Sequence, residues 1–253
     1  MDNWIETLDR LNVVVVIPTY NNHKTIGQVI ADVRQYANNV IVVNDGSTDG
    51  TAEILDGIGG IEVITHPQNC GKGTAHKNGL CRAKTAGFRY AITIDSDGQH
   101  FAKDIPSFVQ EIEQNPDTLL VGSRNIQADN MPGKNTFANK FSNFWFRLQT
   151  GINLPDTQTG YRLYPLHQLP NLGLLTSRYE AELELLVGSA WRGTHLVPIA
   201  VNVFYPKAEE RVTHFRPFWD FLRITLLNTG LCFGALFYGL PSRLIHKLKD
   251  GHE

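Results

Sequence analysis

The sequence predicts an α/β fold: a mostly parallel central sheet with helices on both faces and a helical extension at the C-terminus. Three observations carry this. Short, continuous apolar runs alternate with segments of helical periodicity. Those apolar runs are only as long as strands buried on both faces. Each run also ends in a cluster of polar and glycine residues, where parallel sheets of this kind bind ligands.

VVVVIP (13–18) is the first such run, closed by proline. TYNNHKTIGQVIADVRQYA follows, with Ile26, Val29, Ile30 and Val33 at helical spacing after cap-type polar residues. NVIVVNDGSTDGTAEIL repeats the unit as strand, Asp/Gly/Ser turn and helix. IEVITHP reads as a third strand, GKGTAHKNGLCRAKTAG as a helix and YAITIDSDGQH as a fourth strand. DIPSFVQEIEQ and TLLVGSR add a helix and a strand. Beyond about residue 125 the alternation gives way to helical and loop segments. We therefore divide the chain into a domain over 1–217 and a hydrophobic, basic helical extension over 218–253.

Composition narrows the function classes. A net charge of -2 argues against a nucleic-acid partner. Cys70, Cys81 and Cys232 have no CxxC spacing, which fits a reducing, cytoplasmic compartment. The stretch Ile224–Leu240 carries no formal charge but is shorter than the roughly 20 residues of a membrane span. It reads as a buried helix or as one lying in the membrane interface, with a true span as the less favoured alternative, and Arg243, Lys247 and Lys249 behind it suit anionic head groups. CGKGT lacks the spacing of a nucleotide-triphosphate loop, and DGIGG follows a helix rather than the strand a dinucleotide fingerprint needs. Neither HExxH nor GxSxG occurs.

ITIDSDGQH (92–100) is the most pointed feature. In an extended segment residues i and i+2 face the same side, so Asp95 and Asp97 can reach one point beyond the strand. Two carboxylates there raise each other's pKa unless a cation intervenes. Mg²⁺ or Mn²⁺ takes one or two carboxylates together with phosphate oxygens, and Gln99 offers a third oxygen. A solvated turn is the competing explanation for the pair taken alone.

PTYNN, NDGSTDG, NCGKG and DSDGQH occur in this order, each at a strand end. Together they resemble the family-2 glycosyltransferases of GT-A fold, over about residues 12–125 and more loosely to 220. The resemblance implies inverting transfer of a sugar from a UDP- or GDP-sugar, with Mg²⁺ or Mn²⁺ as cofactor. It places Pro18, Tyr20 and Asn22 in the nucleoside pocket, Asp45 on the base and Lys72 near the nucleotide. Asp95 would face the ribose and the metal, with Asp97 and Gln99 holding the metal.

No QxxRW motif of the polysaccharide synthases is present. VGSR, PDTQTGYRLY and EERVTHF resemble the dolichyl- or polyprenyl-phosphate mannosyl- and glucosyltransferase branch. That likeness makes a polyprenyl phosphate the expected acceptor, contacted by Arg124 and Arg211, with Lys134 and Lys140 as further cations. Asp97, Arg124 and Arg211 are then the expected catalytic set, and the protein is expected to sit peripherally on the cytoplasmic face of the membrane. The chain departs from the pattern at Asn22, where the family has Glu, and in DSD, where DAD is usual. A glycan or lipid hydroxyl is the alternative acceptor, and a non-catalytic nucleotide-sugar binder is a further alternative. A hydroxyl needs a base to take its proton. Glu180 and Glu182 are the fallback bases, although a charged, solvated helix face is the expectation we prefer for them.

Overall fold

The structure, a computed structural model, describes residues 3–124, 133–169, 176–204, 217–239, 241 and 242. For 133–137 and 217–221 it describes the backbone alone. The elements run α1 (Trp4–Leu11), β1 (Val13–Thr19), α2 (Ile26–Val33), β2 (Val40–Asn44), α3 (Thr51–Asp56), β3 (Glu62–Thr65), α4 (Lys72–Thr85) and β4 (Tyr90–Thr93). After them come α5 (Ile105–Gln114), β5 (Thr118–Arg124), α6 (Gly133–Thr150), β6 (Arg162–Pro165), α7 (Glu180–Trp191), β7 (His195–Val201) and α8 (Pro217–Gly234). A π-helical turn (Ala235–Gly239) continues α8.

The strands form one sheet in the order β3-β2-β1-β4-β6-β5-β7. β1 pairs parallel with β2 and β4, β2 with β3, and β5 with β7. β6 runs antiparallel between β4 and β5, with Thr93 opposite Arg162. The parallel sheet flanked by helices is the architecture expected from the alternation, and β6 and β7 extend it past residue 125, where the pattern had faded. β6 is only RLYP, while β7 is the apolar run HLVPIAV, buried at Leu196 and Val201 alone. The polar N-terminal segment also folds, as α1, capped by Asn3 and anchored by Leu8 in the core.

Strand alternation splits the core into two layers. Val13, Val15 and Ile17 of β1 face α1, α2 and α5, where Leu8, Ile26, Ile30 and Phe108 are buried. Val14 and Val16 face the other side, packing with Leu80 of α4, Phe146 of α6 and Leu186 of α7. The four apolar positions foreseen in α2 are its buried residues.

Leu231 of α8 belongs to the second layer, with Leu227 packed against it. α8 is thereby seated on α6 and α7. Asn228, which interrupts the apolar run, is buried and accepts a 2.9 Å hydrogen bond from Gln149 Nε2. The opposite face of α8 and its π turn is apolar and exposed: Leu226, Phe233, Leu236, Phe237 and Tyr238. Among the described residues no helix is long and apolar enough to cross a membrane.

Candidate active site

The polar strand ends do converge on one edge. Asn21 adopts φ +52° and its side chain accepts from the Thr48 amide. Asn22 donates from its backbone to Thr51 Oγ1 and from its side chain to Ser96 Oγ at 2.8 Å. The PTYNN loop, with Tyr20 half-buried, is thus tied to both the NDGSTDG and DSD turns. Pro18 lies within β1 itself.

Asp45, expected on the base, lies at the end of β2 in the same edge. Its carboxylate is buried and accepts from His66 Nδ1 at 2.7 Å and from the amides of Cys70 and Gly71 at 2.8 Å. His66 Nε2 in turn accepts from Asn78 at 2.9 Å. Asp45, His66 and Cys70 lie close enough for a cation. Both ring nitrogens are already committed, however, so the arrangement is a hydrogen-bonded clasp on the loop that carries Lys72. Gly46, at φ +68°, lets the turn press against that loop, since a Cβ there would stand 2.3 Å from the Gln68 carbonyl carbon.

Lys72 opens α4 with its ammonium between two carboxylates, 2.9 Å from Asp95 Oδ1 and 2.8 Å from Glu182 Oε1. Burial alone would raise both acids. The Lys72 charge outweighs it, holding Asp95 down at about 2 and Glu182 below its ordinary value, and Lys72 itself is raised. His76, one turn along α4, is buried 4.0 Å from Glu182, and burial lowers its pKa. Gly71 and Gly73 bring this helix end directly onto Ser177, Arg178 and Ala181 at the start of α7.

The expectation of a solvated face for Glu180 and Glu182 is overturned: both are buried. Glu182 meets Lys72 and lies 4.0 Å from His76, partners from α4 that the local sequence EAELELL does not name.

Asp97 behaves unlike Asp95. The strand stops at Thr93, residues 96–98 turn, and Gly98 takes φ +74°, so the pair is not set out by a strand pleat. Asp97 faces a cleft of ≈ 410 Å³ lined also by Lys24, Thr25, Gln28, His100 and Phe101. Burial, then the Asp95 charge, push it up to about 6. The Gln99 amide donates to Asp97 Oδ1 at 2.9 Å, which places Gln99 beside it. His100 is driven down to about 4, chiefly by burial, and its Nδ1 has no hydrogen-bond partner among the described residues. A half-buried carboxylate with no side-chain ion pair among the described residues fits a hard divalent cation. Asp95, by contrast, already has its cation in Lys72.

Across β4 and β6, Arg124 ends β5 as a fork on Asp156, with Nε and Nη2 at 2.5 and 2.9 Å. Asp156 is fully buried and also accepts from Asn139 of α6 and from the Gln158 amide. Asp156 lay in the quoted PDTQTGYRLY segment, yet nothing in its spacing marked it as the partner of Arg124. Lys140, about 100° around α6 from the inward-facing Asn139, is exposed and does not join this group. The side chain of Lys134, and Arg211 entirely, lie outside the described residues.

A mixed sheet of this order with a nucleotide-type carboxyl edge and a DSD turn defines a GT-A sugar transferase. The glycosyl transferase family 2 model matches residues 14–166, and the chain belongs to that family and is a glycosyltransferase. A UDP-N-acetylglucosamine–dolichyl-phosphate N-acetylglucosaminyltransferase of Methanococcus voltae is 29% identical, over 86% of this chain and 96% of its own. A polyprenol monophosphomannose synthase of Mycolicibacterium smegmatis is 26% identical over 64% of each chain. The fold matches glucosyl-3-phosphoglycerate synthase of Mycobacterium tuberculosis, crystallised with Mn²⁺, UDP and phosphoglyceric acid, at a TM-score of 0.65 and 20% identity. That match covers 92% of this chain and 81% of the synthase.

Proposed function

We propose that this glycosyltransferase moves a sugar, with inversion, from a nucleoside-diphosphate sugar to a polyprenyl phosphate. The near-full-length likeness to a dolichyl-phosphate transferase carries the reading. In it, Pro18, Tyr20 and Asn22 border the nucleoside, Lys72 meets the diphosphate, and Asp95 stands on the ribose side. Asp97 and Gln99 would hold Mg²⁺ or Mn²⁺, which supplies Lewis-acid stabilisation of the departing diphosphate.

The chain's own residues have little proton chemistry to perform. A phosphate monoester is anionic at neutral pH, so its oxygen attacks the anomeric carbon unaided by a base. The bond to the diphosphate breaks, and its electron pair leaves with the nucleotide. What the acceptor needs is cationic positioning. The Arg124 fork, held in orientation by buried Asp156, suits phosphate oxygens; Arg211, Lys134 and Lys140 are further candidates for the same task. Glu182 would be a poor base for a hydroxyl acceptor, because Lys72 keeps it ionised and occupied.

In this reading the protein sits peripherally on the cytoplasmic face of the membrane holding the lipid; the exposed apolar face of α8 and its π turn, with Phe144 and Leu148 of α6, supports it. The test is a donor-by-acceptor assay with Mg²⁺ or Mn²⁺, labelled UDP- and GDP-sugars and membrane lipid extract. Label in a mild-acid-labile lipid is the expected result; label only in acid-stable glycosides would overturn the phosphate acceptor.

A further inference from the structure

One cation in the site is built into the chain. The Lys72 ammonium sits 2.9 Å from Asp95 and 2.8 Å from Glu182, with its side chain a quarter exposed. Gly71 and Gly73 let the start of α4 pack directly on α7, where an added Cβ at Gly73 would stand 2.3 Å from the Ala181 Cβ. The ammonium hangs from this junction on a flexible four-carbon stem. We propose that Lys72 is a tethered counter-cation: it keeps Asp95 closed to a divalent metal until a nucleoside diphosphate draws the ammonium away.

The charge balance makes metal and nucleotide depend on each other. While Lys72 bridges Asp95 and Glu182, a divalent ion approaching the DSD turn meets one compensated carboxylate and one uncompensated, Asp97. When a diphosphate arrives it competes for the same ammonium, and Asp95 regains its full negative charge beside Asp97. That pair then demands a cation. By linkage, whatever the diphosphate adds to metal affinity the metal adds to diphosphate affinity. Glu182 is the second anchor that keeps the ammonium parked, 2.8 Å from it. Lys72 is thus a positioning residue for the metal as well as a contact for the nucleotide. The inference rests on the reading of Asp95 and Asp97 as the metal side of the donor site.

Its test needs no acceptor and no turnover. MnCl₂ is titrated into the full chain without nucleotide, and free Mn²⁺ is followed by electron paramagnetic resonance. Lys72→Met should bind Mn²⁺ about tenfold tighter than wild type, within the usual range of coupling between sites. Lys72→Arg, which keeps the charge, should bind like wild type. Because Lys72→Met strands Glu182, the double variant Lys72→Met/Glu182→Gln removes both partners of the pair, a change buried ion pairs tolerate. It should show the same tightening. Adding UDP or GDP, with chelation by free nucleotide subtracted, should raise Mn²⁺ affinity strongly in wild type and far less in either Met variant. Unchanged or weaker Mn²⁺ binding by a cooperatively folded double variant would overturn the proposal, as would the absence of Mn²⁺ binding by every form. A chain that passes this test but glycosylates only hydroxyls would lose the phosphate-acceptor reading and keep this one.

Discussion

The donor edge and the C-terminal helical face solve opposite problems with buried and exposed groups. At the donor edge, charges are taken out of water and matched: Asp45 with His66 and two amides, Asp95 and Glu182 with Lys72, Asp156 with Arg124. On α8 and its π turn, apolar side chains are left in water, Phe237 at 79% exposure, while a polar pair, Gln149 and Asn228, is buried behind them. The first region prearranges ionic partners for a charged ligand. The second keeps an apolar surface that only an apolar environment would cover. Asp97 is the exception within that edge, a half-buried acid with no cation paired to it among the described residues.

The largest expected effect tests that exception. Asp97→Asn should lower sugar transfer by about 10³-fold or more in the labelled-donor assay while the protein stays folded, as expected when Lewis-acid stabilisation is lost. Next comes Asp156→Ala, which removes one partner of a buried pair and leaves the Arg124 fork unheld. Urea unfolding should show a loss of about 3 kcal/mol, the scale of a broken buried ion pair. A smaller effect is expected on the helical face. Phe233→Ser, Leu236→Ser and Phe237→Ser together should cut binding to phosphatidylglycerol-containing vesicles about tenfold or more, with stability changed by only about 0.5 kcal/mol per site. Unaltered vesicle binding would erase the contrast between the two regions.

The smallest effect is a pH dependence. The folded-state pKa of Asp97 is raised from 3.8 to about 6, so the folded state holds a proton there that the unfolded chain releases. Its contribution is fully present below about pH 4 and is lost as pH rises through 6. Asp97→Asn escapes that loss, so in metal-free protein it should be more stable than wild type at pH 8 by about 1 kcal/mol, and no more stable at pH 4. A constant difference across that range would show that Asp97 is not the strained acid described.

The N-terminal half of the sheet was legible because parallel strands buried on both faces leave a continuous apolar trace, and the strand ends carried recognisable polar motifs. The α2 periodicity located its buried face to the residue. β6 was illegible for the converse reason: Arg162 is fully buried within it, its guanidinium paired to the carbonyls of Thr157, Thr159 and Glu182. A buried arginine reads as a surface residue until its acceptors are seen. The site shows the same division. That Asp95 and Asp97 matter could be read from spacing, but their different fates depend on Lys72 and Glu182, brought together from helices far apart in the chain.

β6 runs against the grain of the sheet, so the chain enters it at the ligand edge. The segment from Asp156 to Gly160 is bonded at one end to α6, through Asn139 and Asn143. At the other end Gly160 lies so close to Asp95 that an added Cβ would stand 2.7 Å from its carboxylate. This short strut links α6 to the acid that Lys72 holds. Any side chain at position 160 would press on that carboxylate, so the strut sets how much room Asp95 has.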